Sequence, residues 1–287
     1  MIFLANEASG WGVIVLISKI RVHLTAGCQL RPAKRKHAGK SRASVWQESL
    51  FPYAQQNLKF SHKLKKLGQP LAYRRMWRRI ERLLHPVPMG PLLEKIDLNR
   101  LREIQARYAS SSEHYAKYLD LERYLKLNIE RVQQLKLHRS PPQEVLDLGC
   151  GGGFFLFILQ HYGHRCLGLD IDEFPLFTDL TQLFDIPRKV WTIKAFEPLP
   201  DLGRKFDWIT AFSTAFHGKQ EQSWQWGAEE WKFFLDDLNR HLKPGGRIFF
   251  GLNPSYAGKY YTPEIARLFQ SRGAEIERAF VFFPPGN

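Results

Sequence analysis

Glu144-Val145-Leu146-Asp147-Leu148-Gly149-Cys150-Gly151-Gly152-Gly153-Phe154-Phe155-Leu156 is the stretch whose reading decides the fold. Pro141-Pro142 ends any helix before it, because proline lacks the N–H that a helix interior needs. A short apolar run of strand type follows and ends in Asp147. Four glycines then fall within five positions, and a helical pattern runs from Phe154 to Gln160. Strand, glycine turn and helix make the first half of a βαβ unit. The glycines permit a tight turn and, having no Cβ, let a ligand approach the backbone. The helix that opens after the turn points unpaired N–H groups at the same place.

The spacing discriminates between cofactors. A dinucleotide turn has the pattern Gly-x-Gly-x-x-Gly. Counted from Gly149, its third glycine falls at Phe154; counted from Gly151 the pattern fails as well. NAD is therefore disfavoured. What is present is Glu144-x-Leu146-Asp147-x-Gly149-x-Gly151-x-Gly153. This resembles the nucleotide-binding turn of class I S-adenosylmethionine (SAM) dependent methyltransferases. A glycine-rich turn of another α/β protein is the plainer alternative. The resemblance extends over roughly 114–283 and includes Phe206-Asp207 and Leu242-Lys243-Pro244-Gly245-Gly246. It implies that the turn, with Asp147, Gly149, Cys150, Gly151 and Gly153, holds the methionine part of SAM.

The next apolar run, Arg165 to Asp170, ends in an acid 21 positions after Gly149. A carboxylate about 20 residues past the turn is where a ribose diol is held. Asp170 fits that role, and Asp172 fits the N-cap of the helix expected from Phe174. By the resemblance, Ile171 lies against adenine, and Phe196 and Glu197 fall where the adenine edge is read. The pattern departs there, since many relatives carry Asp near the position of Ala195.

The net charge of +14 looks like a nucleic-acid signal until it is located. Residues 1–75 hold fourteen Lys and Arg against two acids, which is +12 of that total. Residues 76–287 are close to neutral, so a whole-chain argument for nucleic-acid binding fails. Lys34-Arg35-Lys36 and the lysines at 63, 65 and 66 read as a solvated, poorly ordered arm. Contact with RNA, DNA or an anionic membrane is the functional alternative, and a third reading sets the true start at Met76, with the first 75 residues an extension without function. Trp11 to Ile17 is too short to span a bilayer, and no positive segment precedes it as in a signal peptide. Cys28, Cys150 and Cys166 show no metal-ligand spacing, so no metal is expected. Three unpaired-looking cysteines suit a reducing, cytoplasmic setting without membrane attachment.

Three regions follow: the basic extension 1–75, a helical cap 76–138 and the ligand-binding domain 139–287. In the cap, Trp77, Ile80, Leu83 and Leu84 share a face, Leu92–Tyr108 reads as a second helix, and Ser110-Ser111-Ser112-Glu113 caps a third from His114 to Leu137. Tyr115, Lys117 and Tyr118 are placed to reach cofactor or substrate. After Asp170 come a helix, a strand Lys189–Phe196, a strand Phe206–Ser213, a helix Trp231–Leu242, a strand Arg247–Asn253, a helix from Pro263 and a last strand Ala274–Phe283. Alternation of this kind predicts an α/β fold with a doubly wound, mainly parallel sheet; the resemblance implies that this sheet is Rossmann-like, with the family's usual final antiparallel strand short or missing.

Ligands bind beyond the carboxyl ends of such strands. The fourth expected strand ends at Phe212 to His217, and His217 is the candidate general base, with a pKa suited to the task. A loop histidine with a structural hydrogen bond fits the same sequence. Phe212, Phe216, Trp224 and Trp226 are candidates for an aromatic wall. The expected function is methyl transfer from SAM to a small-molecule acceptor by in-line displacement. The alternatives are an RNA or protein methyltransferase that uses the basic arm, and a SAM-fold binding protein without turnover.

Overall fold

The computed structural model describes residues 70–110, 117–219 and 223–285. The basic arm up to residue 69, the Ser111 to Glu113 part of the expected cap, and Tyr115 lie outside the described residues.

Strand β1 (Glu144–Leu148) and helix α5 (Phe154–His161) flank the glycine turn as the sequence predicts. All six residues from Phe154 to Leu159 are buried, so α5 is apolar around its whole circumference rather than on one stripe. Each such side chain contributes roughly 1.5–3 kcal/mol on leaving water. That places α5 between the sheet and the helix before it, α4 (Leu121–Gln134).

The earlier cap is α1 (Pro70–Leu84), the single turn α2 (Gly90–Leu93) and α3 (Leu98–Tyr108). The expected single helix over 92–108 is broken because Asp97 caps α3, accepting from Asn99 N at 2.9 Å and Arg100 N at 3.0 Å. Asp120 likewise caps α4 by accepting from Arg123 N at 3.0 Å, which starts that helix seven residues later than expected at His114.

Strand β2 (Arg165–Asp170), helix α6 (Pro175–Leu183) and strand β3 (Arg188–Val190) extend the sheet to one side of β1. Strand β4 (Phe206–Phe212), helix α7 (Ala228–His241), strand β5 (Leu242–Gly251) and helix α8 (Pro263–Ser271) extend it to the other. The expected last strand over 274–283 is two strands, β6 (Glu275–Glu277) and β7 (Phe280–Phe283), reversed at Arg278 with φ 55°. The short β7 inserts antiparallel between β5 and β6, giving the order β3-β2-β1-β4-β5-β7-β6. The sheet is therefore mixed, seven-stranded and Rossmann-like. Lys243-Pro244-Gly245-Gly246 does not stop helix α7 with a glycine cap; it forms a bulge inside β5 that shifts the register against β4 between Phe206 and Trp208.

One core, around α4, α5 and α6, covers one face of the sheet; the other, around α7 and α8, covers the opposite face with Trp231, Phe234, Phe250 and Phe269. Among the described residues no helix is long and apolar enough to cross a membrane.

Candidate functional site

The strand order reverses at β1, whose neighbours β2 and β4 lead to opposite halves of the sheet. A crevice at such a switch point is where an α/β sheet holds its ligand. Asp147 sits there, buried, and Thr210 of β4 donates its hydroxyl to Asp147 Oδ1 at 2.7 Å. Burial raises the Asp147 carboxyl to about 7, against the opposing pull of the Thr210 hydrogen bond and the Arg131 guanidinium.

The turn beyond Asp147 uses its glycines for defined purposes. Gly149, Gly151 and Gly153 have φ of 69°, 54° and 79°. A Cβ on Gly149 would lie 2.2 Å from Thr214 Cγ2, and one on Gly153 would lie 2.9 Å from Ile186 Cγ1. Glycine is thus needed for conformation and for close packing together. Gly149 N–H donates to Leu169 O at 2.6 Å, and Gly151 N–H donates to Asp170 Oδ2, so the turn is laced to the end of β2. Asp170 Oδ1 accepts from Ile171 N at 2.8 Å. Burial nevertheless holds the Asp170 carboxyl above its ordinary range.

These groups open on a cavity of about 760 Å³. Its walls include Asp147, Gly149, Cys150, Gly151, Asp170, Ile171 and Phe212. Gly153 lies one position deeper, as the N-cap of α5. Lys117, Tyr118, Phe216 and Trp224 also line the cavity, whereas Trp226 is buried in the core against Trp231. Cys150 is a buried thiol pushed up well above its usual range by that burial. Among the described residues no group of three or more His, Cys, Asp or Glu is placed to hold a metal.

The structure places four sequence candidates elsewhere. Phe196 and Glu197 do not reach the cavity: Phe196 is exposed and packs on Phe233, and Glu197 pairs with Lys194 at 3.4 Å. Strand β3 ends at Val190, far short of Phe196, and the chain crosses the cavity as Trp191-Thr192-Ile193 instead. His217 is fully buried away from the cavity, its Nε2 3.2 Å from Ser255 Oγ, and burial lowers its pKa to about 4. Asp172 does not cap α6; its carboxylate accepts from Thr178 Oγ1 at 3.0 Å and pairs with Arg188 at 2.8 Å.

Sequence reasoning missed Arg131 and Thr214. Arg131 projects from α4, stacks its guanidinium 4.6 Å above the Phe212 ring, and donates to Asn128 Oδ1 at 2.9 Å and Ser213 Oγ at 3.2 Å. Both residues line the cavity, and the buried Thr214 Oγ1 has no hydrogen-bond partner. Ser213 carries the turn there with φ 56°, its carbonyl held by Asn253 Nδ2 at 2.8 Å.

A methyltransferase domain family model matches residues 146–248. A probable S-adenosylmethionine-dependent methyltransferase of Mycolicibacterium smegmatis is 26% identical over 162 residues, 52% of this chain and 58% of that protein. The cypemycin N-terminal methyltransferase of a Streptomyces species is 35% identical over 106 residues, 37% of this chain and 40% of that protein. The chain thus spans between two fifths and three fifths of the length of these curated relatives. Among solved structures, DesVI of Streptomyces venezuelae overlaps with a TM-score of 0.42 and 15% identity, over 57% of this chain and 92% of that chain. The matched segment holds both the glycine turn and Asp170, and over it the chain is similar to a methyltransferase domain and to SAM-dependent methyltransferases.

Proposed function

We propose that this protein transfers a methyl group from SAM to a small-molecule acceptor, with Asp147, Gly149, Cys150, Gly151, Gly153, Asp170, Ile171 and Phe212 forming its cofactor site. One observation carries the reading: three left-handed glycines between two strand-end carboxylates, Asp147 buried and Asp170 half-buried, opening on a cavity at the switch point of the sheet.

The residues present fit the cofactor. The Asp170 carboxylate has acceptor capacity left for a diol after its two backbone hydrogen bonds. Arg131 supplies a buried-side cation for a carboxylate, Asp147 an acid for an ammonium, and Thr214 Oγ1 an unspent hydroxyl. Trp191 and Ile193, rather than Phe196 and Glu197, take the place of the adenine wall.

Bound SAM supplies a methyl group on a sulfonium, which is displaced in line with a neutral leaving group. The chain's own task is then to orient the acceptor and exclude water, and positioning alone can supply much of the rate. No described histidine lines the cavity, so no imidazole stands ready to take a proton there. The near-neutral charge of residues 76–287 supports a small acceptor over a polyanion.

Calorimetric titration with SAM and with S-adenosylhomocysteine tests the reading, followed by turnover on a panel of amines, hydroxyls and thiols. Saturable binding of both compounds and methylation of one acceptor class are the expected results. A folded protein with no measurable affinity for either compound ends the proposal; binding without turnover leaves the cofactor site and removes the enzyme.

A further inference from the structure

Helix α1 is attached to the domain by its polar residues. Glu81 pairs with Lys136 at 2.8 Å and with Arg139, Arg82 pairs with Glu130 at 3.4 Å, and Gln133 Nε2 donates to His85 O at 3.0 Å. Its apolar residues remain outside: Trp77 is 63% exposed, Leu83 76% and Leu84 67%, with Tyr73, Met76 and Ile80 beside them. A helix packed for core burial shows the opposite arrangement. At 100° per residue these six positions fall within an arc of about 120°. Tyr73, Met76 and Trp77 also border a groove of about 1100 Å³ whose far wall carries Phe280 and Phe282, so the apolar surface continues beyond the helix. A contiguous exposed patch of this kind marks a surface of interaction.

We propose that α1 is an interfacial anchor that lies on an anionic lipid bilayer, with Trp77, Ile80, Leu83 and Leu84 entering the acyl boundary. Charge selects this occupant. The fifteen residues of α1 contain five arginines, at 74, 75, 78, 79 and 82, against the single acid Glu81, a net charge of +4. A second copy of the chain meeting this face would bring two such helices together and be repelled. Anionic headgroups complement the same charge, and an apolar stripe with Trp and Tyr on a helix whose sequence is rich in arginine is the pattern of a helix in the bilayer interface. Such a helix needs no membrane-spanning length, so it is compatible with described residues among which no helix is long and apolar enough to cross a membrane. This inference is independent of the methyl-transfer reading, because none of these residues lines the cofactor cavity.

The test is co-sedimentation of the full chain with vesicles of phosphatidylcholine alone and with equimolar phosphatidylglycerol. The probe variant is Trp77→Ser combined with Leu84→Ser, which leaves every charge, including the whole basic arm, in place. The expected results are binding to the anionic vesicles that weakens as salt rises, and about tenfold or greater loss in the variant. SAM affinity serves as the check that the variant is folded. Equal binding by variant and parent overturns the proposal, since the arm would then account for it. Absence of vesicle binding overturns it too, as does self-association in the ultracentrifuge that the two substitutions abolish.

Discussion

Two acids line the candidate site at the scale of single residues, and both are legible in the sequence because each ends an apolar strand-type run beside the glycine turn. Asp147 has its folded-state carboxyl raised from 3.8 to about 7 by burial. The folded state therefore holds its proton more firmly than the unfolded chain. Its contribution to stability is complete below 3.8 and is lost as the pH rises through about 7. A cationic ligand beside it favours the ionised form. If SAM needs the carboxylate, its affinity should rise about tenfold from roughly pH 6 to 8, and Asp147→Asn should flatten that dependence. Calorimetry across this range reads both. Asp170→Ala should weaken SAM about tenfold or more through the loss of charge-assisted hydrogen bonds to the ribose. His217 shows where residue-level reading fails. Its position after β4 was evident from spacing, but spacing does not say which way a side chain turns. Burial lowers it from 6.5 to about 4, so the stability held by its neutral form is lost as the pH falls from 6.5 toward 4. His217→Asn should remove that acid slope in denaturant unfolding while leaving the pH profile of methyl transfer unchanged. A displaced profile would return the imidazole to the chemistry. Arg131 was hidden for the converse reason: on an amphipathic helix an arginine reads as solvated until its ring partner, Phe212, is known.

At the scale of elements, the strand–turn–helix core was legible because three independent signals agree there: apolar run, glycines and an apolar helix. Elements held by tertiary pairing were not. Strand β3 is only three residues long although the sequence reading gives eight, Lys189–Phe196: β2 ends at Asp170, whose backbone carbonyl accepts from Trp191 N at 2.9 Å, and offers no partner beyond it. The β6–β7 reversal at Arg278 carries no glycine or proline to announce it. Glycines can be separated by what surrounds them. Gly149 and Gly203 have nearly the same φ, 69° and 67°, but nothing lies within 4 Å of a Cβ on Gly203. Gly203→Ala should cost about 1 kcal/mol, from backbone conformation alone. Gly149→Ala should cost more than that, roughly 3 kcal/mol or above, because Thr214 must also move. Denaturant unfolding of the two variants measures the difference, and equal costs would mean that the turn yields freely around Thr214.

At the scale of the whole molecule, charge and chemistry occupy different parts of the chain. Nearly all of the net +14 precedes residue 76, while the cavity belongs to a segment that is almost neutral. A small acceptor needs only the cavity; an RNA or an acidic protein would be recruited by the basic tract and released by salt. Removing residues 1–69, just before α1 begins at Pro70, separates these cases. If the acceptor is small, the shortened chain should keep both its SAM affinity and its turnover, and turnover should change little with ionic strength. Retained SAM affinity with lost turnover would show instead that the arm brings the acceptor to the site, and the loss should then be mimicked in the full chain by raising salt. The paired measurement matters because affinity reports the integrity of the turn around Asp147 and Asp170, whereas turnover alone cannot distinguish a missing acceptor contact from a damaged fold.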